Sequence, residues 1–318
     1  MEPRDSRPRT ILGGVARAEV IALFGPTGVG KTALALALAE ELRSHGEQPV
    51  AVSADALQVY AGLETLTGAA DANERAQLEH RLLAFLPVDA QFSVGQYAAL
   101  AHSEIDGLIA AGRRPIVVGG TGLYLRAALA ELSLKPPPPE GVRERWLAEL
   151  AARGPEALHA QLAQRAPWAA EKISPTDSHR IVRALELDDA GELEPGPEQS
   201  DLWTAATRRT TLLVGVTMER ERLYAQIDAR VDQMLADGAE GEVRRAHAGG
   251  ASVTARKAVG FEDLLTGDIE AMKRRSRNYA RRQLTWMRKL PNVFEIDLTD
   301  RLAGDAAKEI SRRWLSGE

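Results

Sequence analysis

The chain has 318 residues, of which 44% are hydrophobic and 27% charged, with a formal net charge of −5 and no cysteine. That length makes about two domains, or one domain with an insertion, and the apolar content supplies a proper core and excludes a disordered chain. The absence of cysteine excludes a disulfide scaffold, a thiolate zinc site and a cysteine nucleophile and fits the cytoplasm, while no run nears the roughly 18 apolar residues of a membrane span.

The first 18 residues carry arginine and proline but no apolar stretch of signal-peptide type, and read as a flexible tail. Glu19–Phe24 (EVIALF) is a short β-branched run stopped by Gly25-Pro26, which predicts a buried strand. Ala33–Leu42 follows with strong helix formers throughout. Pro49–Ser53 and Pro115–Val118 predict two more strands, and strands alternating with helices predict a parallel sheet with helices on its faces. The alternation lapses near residue 130, where the Lys135–Pro139 proline run forbids helix. Val142–Arg153, Pro155–Arg165 and Thr176–Asp188 then read as three amphipathic helices with no strand between them. Gly191–Gln199 reads as a flexible connection, Thr211–Val216 as a returning strand, and Glu219 to about Arg288 as mostly helix. The expected architecture is an α/β core over 19–130 and 208–318, interrupted by an all-helical insertion over 131–207.

Gly25-Pro26-Thr27-Gly28-Val29-Gly30-Lys31-Thr32 matches the phosphate-loop pattern, after a predicted strand and at the opening of a predicted helix. Glycines let backbone N–H groups turn toward phosphate oxygens, and the helix N-terminus adds its positive dipole end. Lys31 is expected to neutralise a phosphate, Thr32 to hold Mg²⁺ and Thr27 to donate a further hydrogen bond. A nucleotide-hydrolysing enzyme or kinase would place a metal-binding acid at the end of a second buried strand. Here Pro115–Val118 runs into Gly119-Gly120-Thr121-Gly122, with no acid. Asp55, after Pro49–Ser53, is the one acid that follows a strand. Its residue-level readings are a metal acid, a different catalytic group, or a turn cap.

Charge is distributed unevenly. Residues 244–289 hold twelve basic against four acidic side chains, although the chain as a whole is acidic. On the last predicted helix of that stretch, Arg274, Arg277, Arg281 and Arg288 form a basic stripe and Ala280, Leu284 and Met287 an apolar one. Such a helix packs by its apolar side and offers its arginines, Arg277 and Arg281 among them, to the phosphates of a polyanion, which the resemblance described next makes tRNA. Trp286 is expected in the core.

Four separated motifs, GPTGVGKT (25–32), SADALQVY (53–60), PIVVGGTGLYL (115–125) and RRQLTWMRKL (281–290), together resemble the tRNA dimethylallyltransferases. SPTDSHRIVRALEL (174–187) and ERERLYAQIDARVDQMLADGAEGEV (219–243) extend the resemblance over nearly the whole chain. It implies a P-loop-kinase-like parallel sheet with helices on both faces and an inserted helical subdomain. It also implies transfer of a dimethylallyl group from dimethylallyl diphosphate, with Mg²⁺, to the exocyclic amine of the adenosine immediately 3′ of the anticodon. The tRNAs concerned would be those that read codons beginning with U. The phosphate loop, Gly25 to Thr32, would then grip a diphosphate, helped by Arg230 (with Arg220 as the fallback) as the clamp on the leaving group. Asp55 matches the general base, and Asp55, Ala56, Leu57 and Gln58 the segment that contacts the flipped adenine. Thr121, Arg143 and the stretch His179, Arg180, Ile181, Val182 and Arg183 match tRNA-contacting positions. The expected partners are tRNA and dimethylallyl diphosphate, with no membrane, and the expected state is a monomer.

The chain departs from that pattern at Ala56, where serine is usual, and at Thr67-Gly68-Ala69-Ala70, where a threonine-alanine-lysine-proline turn is common. It departs again at His80-Arg81, where two histidines are usual. The rival readings are a nucleotide or small-molecule kinase built on the same loop, and a non-catalytic tRNA-binding module.

Overall fold

The computed structural model describes residues 17–135, 137–195 and 201–317; the N-terminal stretch read as a tail lies outside them up to residue 16. All five residues of β1 (Val20–Phe24) are buried, so both faces of this strand are covered, as its unbroken apolar run requires. β2 (Pro49–Ser53), β3 (His80–Arg81), β4 (Arg114–Gly119), β5 (Thr211–Thr217) and β6 (Phe294–Asp297) complete one sheet. Its order is β3-β2-β4-β1-β5-β6 and every pairing is parallel. Leu23 on β1 registers with Val118 on one side and Val214 on the other, which places the phosphate loop at the centre of the sheet's carboxyl edge.

The helices follow in chain order. α1 (Lys31–Ser44), α2 (Glu64–Thr67), α3 (Ala72–Gln77), α4 (Val94–Ala110) and α5 (Gly122–Leu129) precede the insertion. α6 (Val142–Arg153), α7 (Pro155–Arg165), α8 (Pro167–Ala170) and α9 (Ser178–Asp189) form it. α10 (Arg220–Ala236), α11 (Ala239–Ala248), α12 (Phe261–Thr266), α13 (Ile269–Met287) and α14 (Ala303–Ser316) complete the fold. Leu34, Leu38 and Leu42 recur every fourth residue on α1 and meet Ile310 and Trp314 of α14 over Ile21, Leu23 and Ile116 of the sheet. α4 packs against α5 and against β2 and β4.

Two compact units result, one made of the chain up to Glu131 and from Leu202 onward, the other of Leu132–Asp201. Residues 202–207, expected in the insertion, belong to the sheet unit: the Trp203 ring lies 4.5 Å from that of Trp286, and Arg126 donates to the carbonyl of Ala206 at 3.1 Å. The helical unit has its own core of Trp146, Leu158, Leu162, Ile181 and Leu185. β3, β6 and α14 were absent from the sequence reading. Among the described residues no helix is long and apolar enough to cross a membrane.

Candidate active site

Three strand ends build one cavity of about 1200 Å³ in the sheet unit. β1 delivers Thr27, Gly28, Gly30, Lys31 and Thr32 to its wall, β2 delivers Asp55, Leu57 and Gln58, and β4 delivers Gly119 and Gly120. This is where an open parallel sheet binds its ligands, outside the carboxyl ends of its strands. Gly28 and Gly30 sit at φ of 80° and 95°, a backbone only glycine adopts freely, and α1 starts at Lys31. Gly25, Pro26 and Val29, expected to bind phosphate, form the back of the loop. Val29 is 1% exposed in the core beneath α1, and the carbonyls of Gly25 and Pro26 accept from Lys31 Nζ at 2.9 and 2.8 Å.

Lys31 is therefore folded back on its own loop. Burial, then the positive charge of Arg230, push its ammonium down to about 7, with Asp55 pulling the other way. Arg230, on α10, lines the same cavity and donates to the carbonyl of Gly68 at 3.2 Å. Its burial weighs against its charge, opposed by Asp55 and Glu74. Two buried cationic groups that repel each other in one cavity wall suit a ligand of multiple negative charge. Arg220, the fallback, opens α10 and is exposed. Thr32 lines this cavity, and its side chain has no hydrogen bond among the described residues. A hydroxyl residue and a carboxylate lining one cavity suit Mg²⁺, which keeps most of its ligands as water and phosphate oxygens.

Asp55 is held from both sides. Its Oδ1 accepts from the backbone N–H of Leu57 at 3.0 Å, and its Oδ2 from the hydroxyl of Thr121 at 3.3 Å. Thr121 Oγ1 is in turn 3.1 Å from the hydroxyl of Tyr279 on α13. Burial, and next the charge of Asp55, hold the Tyr279 phenol well above its ordinary range, so it stays neutral. With its hydroxyl committed to Asp55, Thr121 must receive the Tyr279 proton. The chain Tyr279–Thr121–Asp55 fixes the carboxylate's orientation, as a proton-accepting group requires.

Gln58, expected against the adenine, lines the cavity and also braces the loop that carries Gly68. Its Nε2 donates to the carbonyls of Thr67 and Gly68 at 3.3 and 3.2 Å, so Gly68 accepts from Gln58 and Arg230 together. A Cβ at Gly68 would stand 1.6 Å from Arg230 Nη2, so the glycine of the departed turn is what admits the arginine. The loop is anchored at its start by the buried Glu242 of α11, whose carboxylate accepts from the N–H groups of Thr65 and Leu66 at 2.9 Å each. Ala56 is half-buried and does not line the cavity.

Within the helical unit, Ile181 and Val182 are 0% and 5% exposed, so their side chains are core and not a tRNA-facing surface. Arg143 donates to the fully buried Glu186 at 2.7 and 2.9 Å, and Arg183 joins it at 3.1 Å. Both arginines are thus tied to an internal carboxylate. Arg180 is exposed and lies 3.5 Å from Asp177, which caps α9, and His179 beside it is also exposed. On α13, Arg277 pairs with Asp228 of α10 at 2.7 Å, so it fastens two helices together. The Arg281 side chain bonds Asn278 and is exposed, as are Arg274, Arg282 and Arg288. Trp286 is half-buried and covers Gly122 at the start of α5.

The sequence reading missed Tyr279, Glu242 and Gln283. The last, 4% exposed on α13, accepts from the Thr27 N–H at 2.7 Å and donates to the Gly120 carbonyl at 2.8 Å. Its only signal was its place in the RRQLTWMRKL motif.

Residues 58–290 match the family model for IPP transferase. The chain belongs to the IPP transferase family. This IPP transferase is 40% identical over 314 residues to the tRNA dimethylallyltransferase of Kineococcus radiotolerans, covering 95% of this chain and 97% of that one. It is also 40% identical to the Thermobifida fusca tRNA dimethylallyltransferase over 298 residues, 89% of this chain and 92% of the other. Among solved structures, the full-length tRNA isopentenylpyrophosphate transferase of Bacillus halodurans superposes with a TM-score of 0.66 at 32% identity, covering 92% and 94% of the two chains. A eukaryotic dimethylallyltransferase acting on tRNA gives 0.71 at 24% identity over 94% of this chain and 80% of that one, a likeness of fold. The all-parallel sheet thus agrees with the one expected from the strand pattern, and the fold with the P-loop-like architecture that the resemblance implies.

Proposed function

We propose that this chain transfers the dimethylallyl group of dimethylallyl diphosphate to N6 of the adenosine 3′-adjacent to the anticodon, in tRNAs that read codons beginning with U. The observation that carries the reading is a single cavity lined by the phosphate loop, Lys31, Arg230 and Asp55. In the reaction the allylic C–O bond breaks, a C–N6 bond forms, diphosphate leaves, and the amine proton passes to Asp55. Charge builds on the departing oxygens, so stabilisation belongs on the diphosphate: the N–H groups of Gly28 and Gly30, the α1 N-terminus, Lys31 released from its loop carbonyls, and Arg230. Thr32 would hold Mg²⁺, which supplies further neutralisation of the leaving diphosphate when bound. The adenine amine is a weak nucleophile because its lone pair is delocalised into the ring. Asp55, oriented by Thr121 and the Leu57 N–H, supports attack by accepting the proton as the new bond forms. The target base must leave its stack to enter the cavity.

A kinase reading is weaker, because β4 ends in Gly119 and Gly120 where a nucleotide enzyme would place its metal-binding acid. The cation-rich α13 supports tRNA as the acceptor. The work of the molecule is proposed to be cytoplasmic and done as a monomer. Incubation with labelled dimethylallyl diphosphate or labelled ATP, each with bulk tRNA, separates the readings. Prenyl label in tRNA is expected; ATP turnover onto a small acceptor, with tRNA unlabelled, overturns the proposal.

A further inference from the structure

We infer that Gln283 is a positioning residue that locks the diphosphate cradle and the Asp55 turn to one helix, so that the two reacting centres keep a fixed separation. The inference rests on the prenyl-transfer reading of the cavity. A phosphate loop that serves phosphate alone directs its N–H groups into the ligand site. Here the N–H of Thr27 is withdrawn from that set: it donates to Gln283 Oε1 at 2.7 Å. The other end of the same amide donates to the carbonyl of Gly120 at 2.8 Å. Gly120 immediately precedes Thr121, whose hydroxyl donates to Asp55. A Cβ on Gly120 would lie 2.3 Å from Gln283 Nε2, so this residue must be glycine for the amide to reach the backbone. One turn earlier on α13, Tyr279 touches Thr121 from the same side.

Gln283 is 4% exposed and therefore gains nothing from solvent. A buried amide with one acceptor and one donor used on two different loops is a spacer whose two ends carry separate consequences. The oxygen end sets where the loop holds diphosphate. The nitrogen end sets where Thr121, and through it Asp55, stands. Bond formation across a gap is sensitive to displacements of about 1 Å, which cost on the order of 10²-fold. The functional consequence of each end is therefore separable by chemistry at one position.

The test uses the full chain with dimethylallyl diphosphate, an anticodon stem-loop and, for binding alone, inorganic pyrophosphate in a calorimeter. Gln283→Leu keeps the shape and loses both ends. Pyrophosphate affinity and the KM for dimethylallyl diphosphate are expected to worsen by about tenfold, with kcat lower as well, while stem-loop affinity is unchanged. Gln283→Glu keeps the acceptor for Thr27 and, once ionised, loses the donor to Gly120. It is expected to hold KM near the parent value and lose kcat, with the ratio of its kcat to the parent's rising as pH falls and the carboxyl regains a proton. A folded Gln283→Leu with parental KM and pyrophosphate affinity overturns the inference. So does a Gln283→Glu variant whose kcat ratio is flat with pH, which decides the matter even if the leucine variant fails to fold. If the parent chain itself transfers no prenyl group, the prenyl-transfer reading fails separately, and pyrophosphate affinity in Gln283→Leu still reports whether the amide anchors the loop.

Discussion

At the residue scale, Lys31 carries the clearest electrostatic consequence. Its folded value of about 7 lies below the ordinary 10.5, chiefly through burial and then through Arg230. Between those values the unfolded chain binds more protons than the folded one, so the ligand-free protein gains stability as pH rises across that window. Below about 7 the cost of the charged lysine is fully present. A bound diphosphate reverses the balance by favouring the ammonium. Binding of dimethylallyl diphosphate at about pH 8.5 is therefore expected to take up close to one proton, read by calorimetry in buffers of different ionisation enthalpy. Lys31→Met should abolish the uptake; proton-neutral binding by the parent chain would contradict this electrostatic picture. Lys31, Thr32 and Asp55 were legible in the sequence because a loop pattern and a strand end mark them. Gln283 was not, since it reads as one more polar residue on a basic helix, and its partner Gly120 lies 163 residues earlier. The brace that Gln58 makes was not legible for a similar reason: the loop carbonyls that claim its amide come from a turn whose course no local pattern predicts.

At the element scale, short α2 exists because another helix caps it. Glu242→Ala would leave the N–H groups of Thr65 and Leu66 without their acceptor. A loss of roughly 1–3 kcal/mol in denaturant unfolding is expected. A loss near zero would show that the loop finds other acceptors. In the helical unit, burial opposes the charge of Glu186, yet Arg143 and Arg183 outweigh it and hold the carboxyl below its ordinary range. That contribution is present above the unfolded value of 4.5 and is lost as pH falls through the lower folded value. Thermal unfolding of Glu186→Gln is expected to vary less between pH 5 and 3 than that of the parent, at a lower starting stability; parallel curves would contradict it. The helices of this unit were legible from apolar spacing, and so were the four long strands of the sheet. β3 and β6 were not, being two and four residues long at the sheet edges, where one face lacks the apolar run that reveals a buried strand. α14 did carry a readable pattern in Ala306, Ile310 and Trp314; its apolar residues make sense only with α1 opposite.

At the scale of the whole molecule, the proposed function has an acidic chain meet tRNA through one local concentration of cations. The stripe on α13 was visible in the sequence, but its division of labour was not. Arg277 closes a helix contact with Asp228, whereas Arg274 and Arg281 remain exposed. Replacing Arg274 and Arg281 with alanine is expected to weaken tRNA binding and reduce its salt slope by roughly 0.7–0.9 per lost phosphate contact, with the KM for dimethylallyl diphosphate unchanged. An unaltered slope would place the tRNA track elsewhere.

The central claim concerns the carboxylate that shares the cavity with the phosphate loop, and single-turnover transfer by Asp55→Asn tests it most directly. With both substrates saturating, the transfer rate is predicted to fall about 10²–10⁴-fold while affinities for pyrophosphate and stem-loop stay close to parental. A variant that transfers the prenyl group at the parental rate, or one that loses binding in proportion to rate, would contradict the role assigned to Asp55.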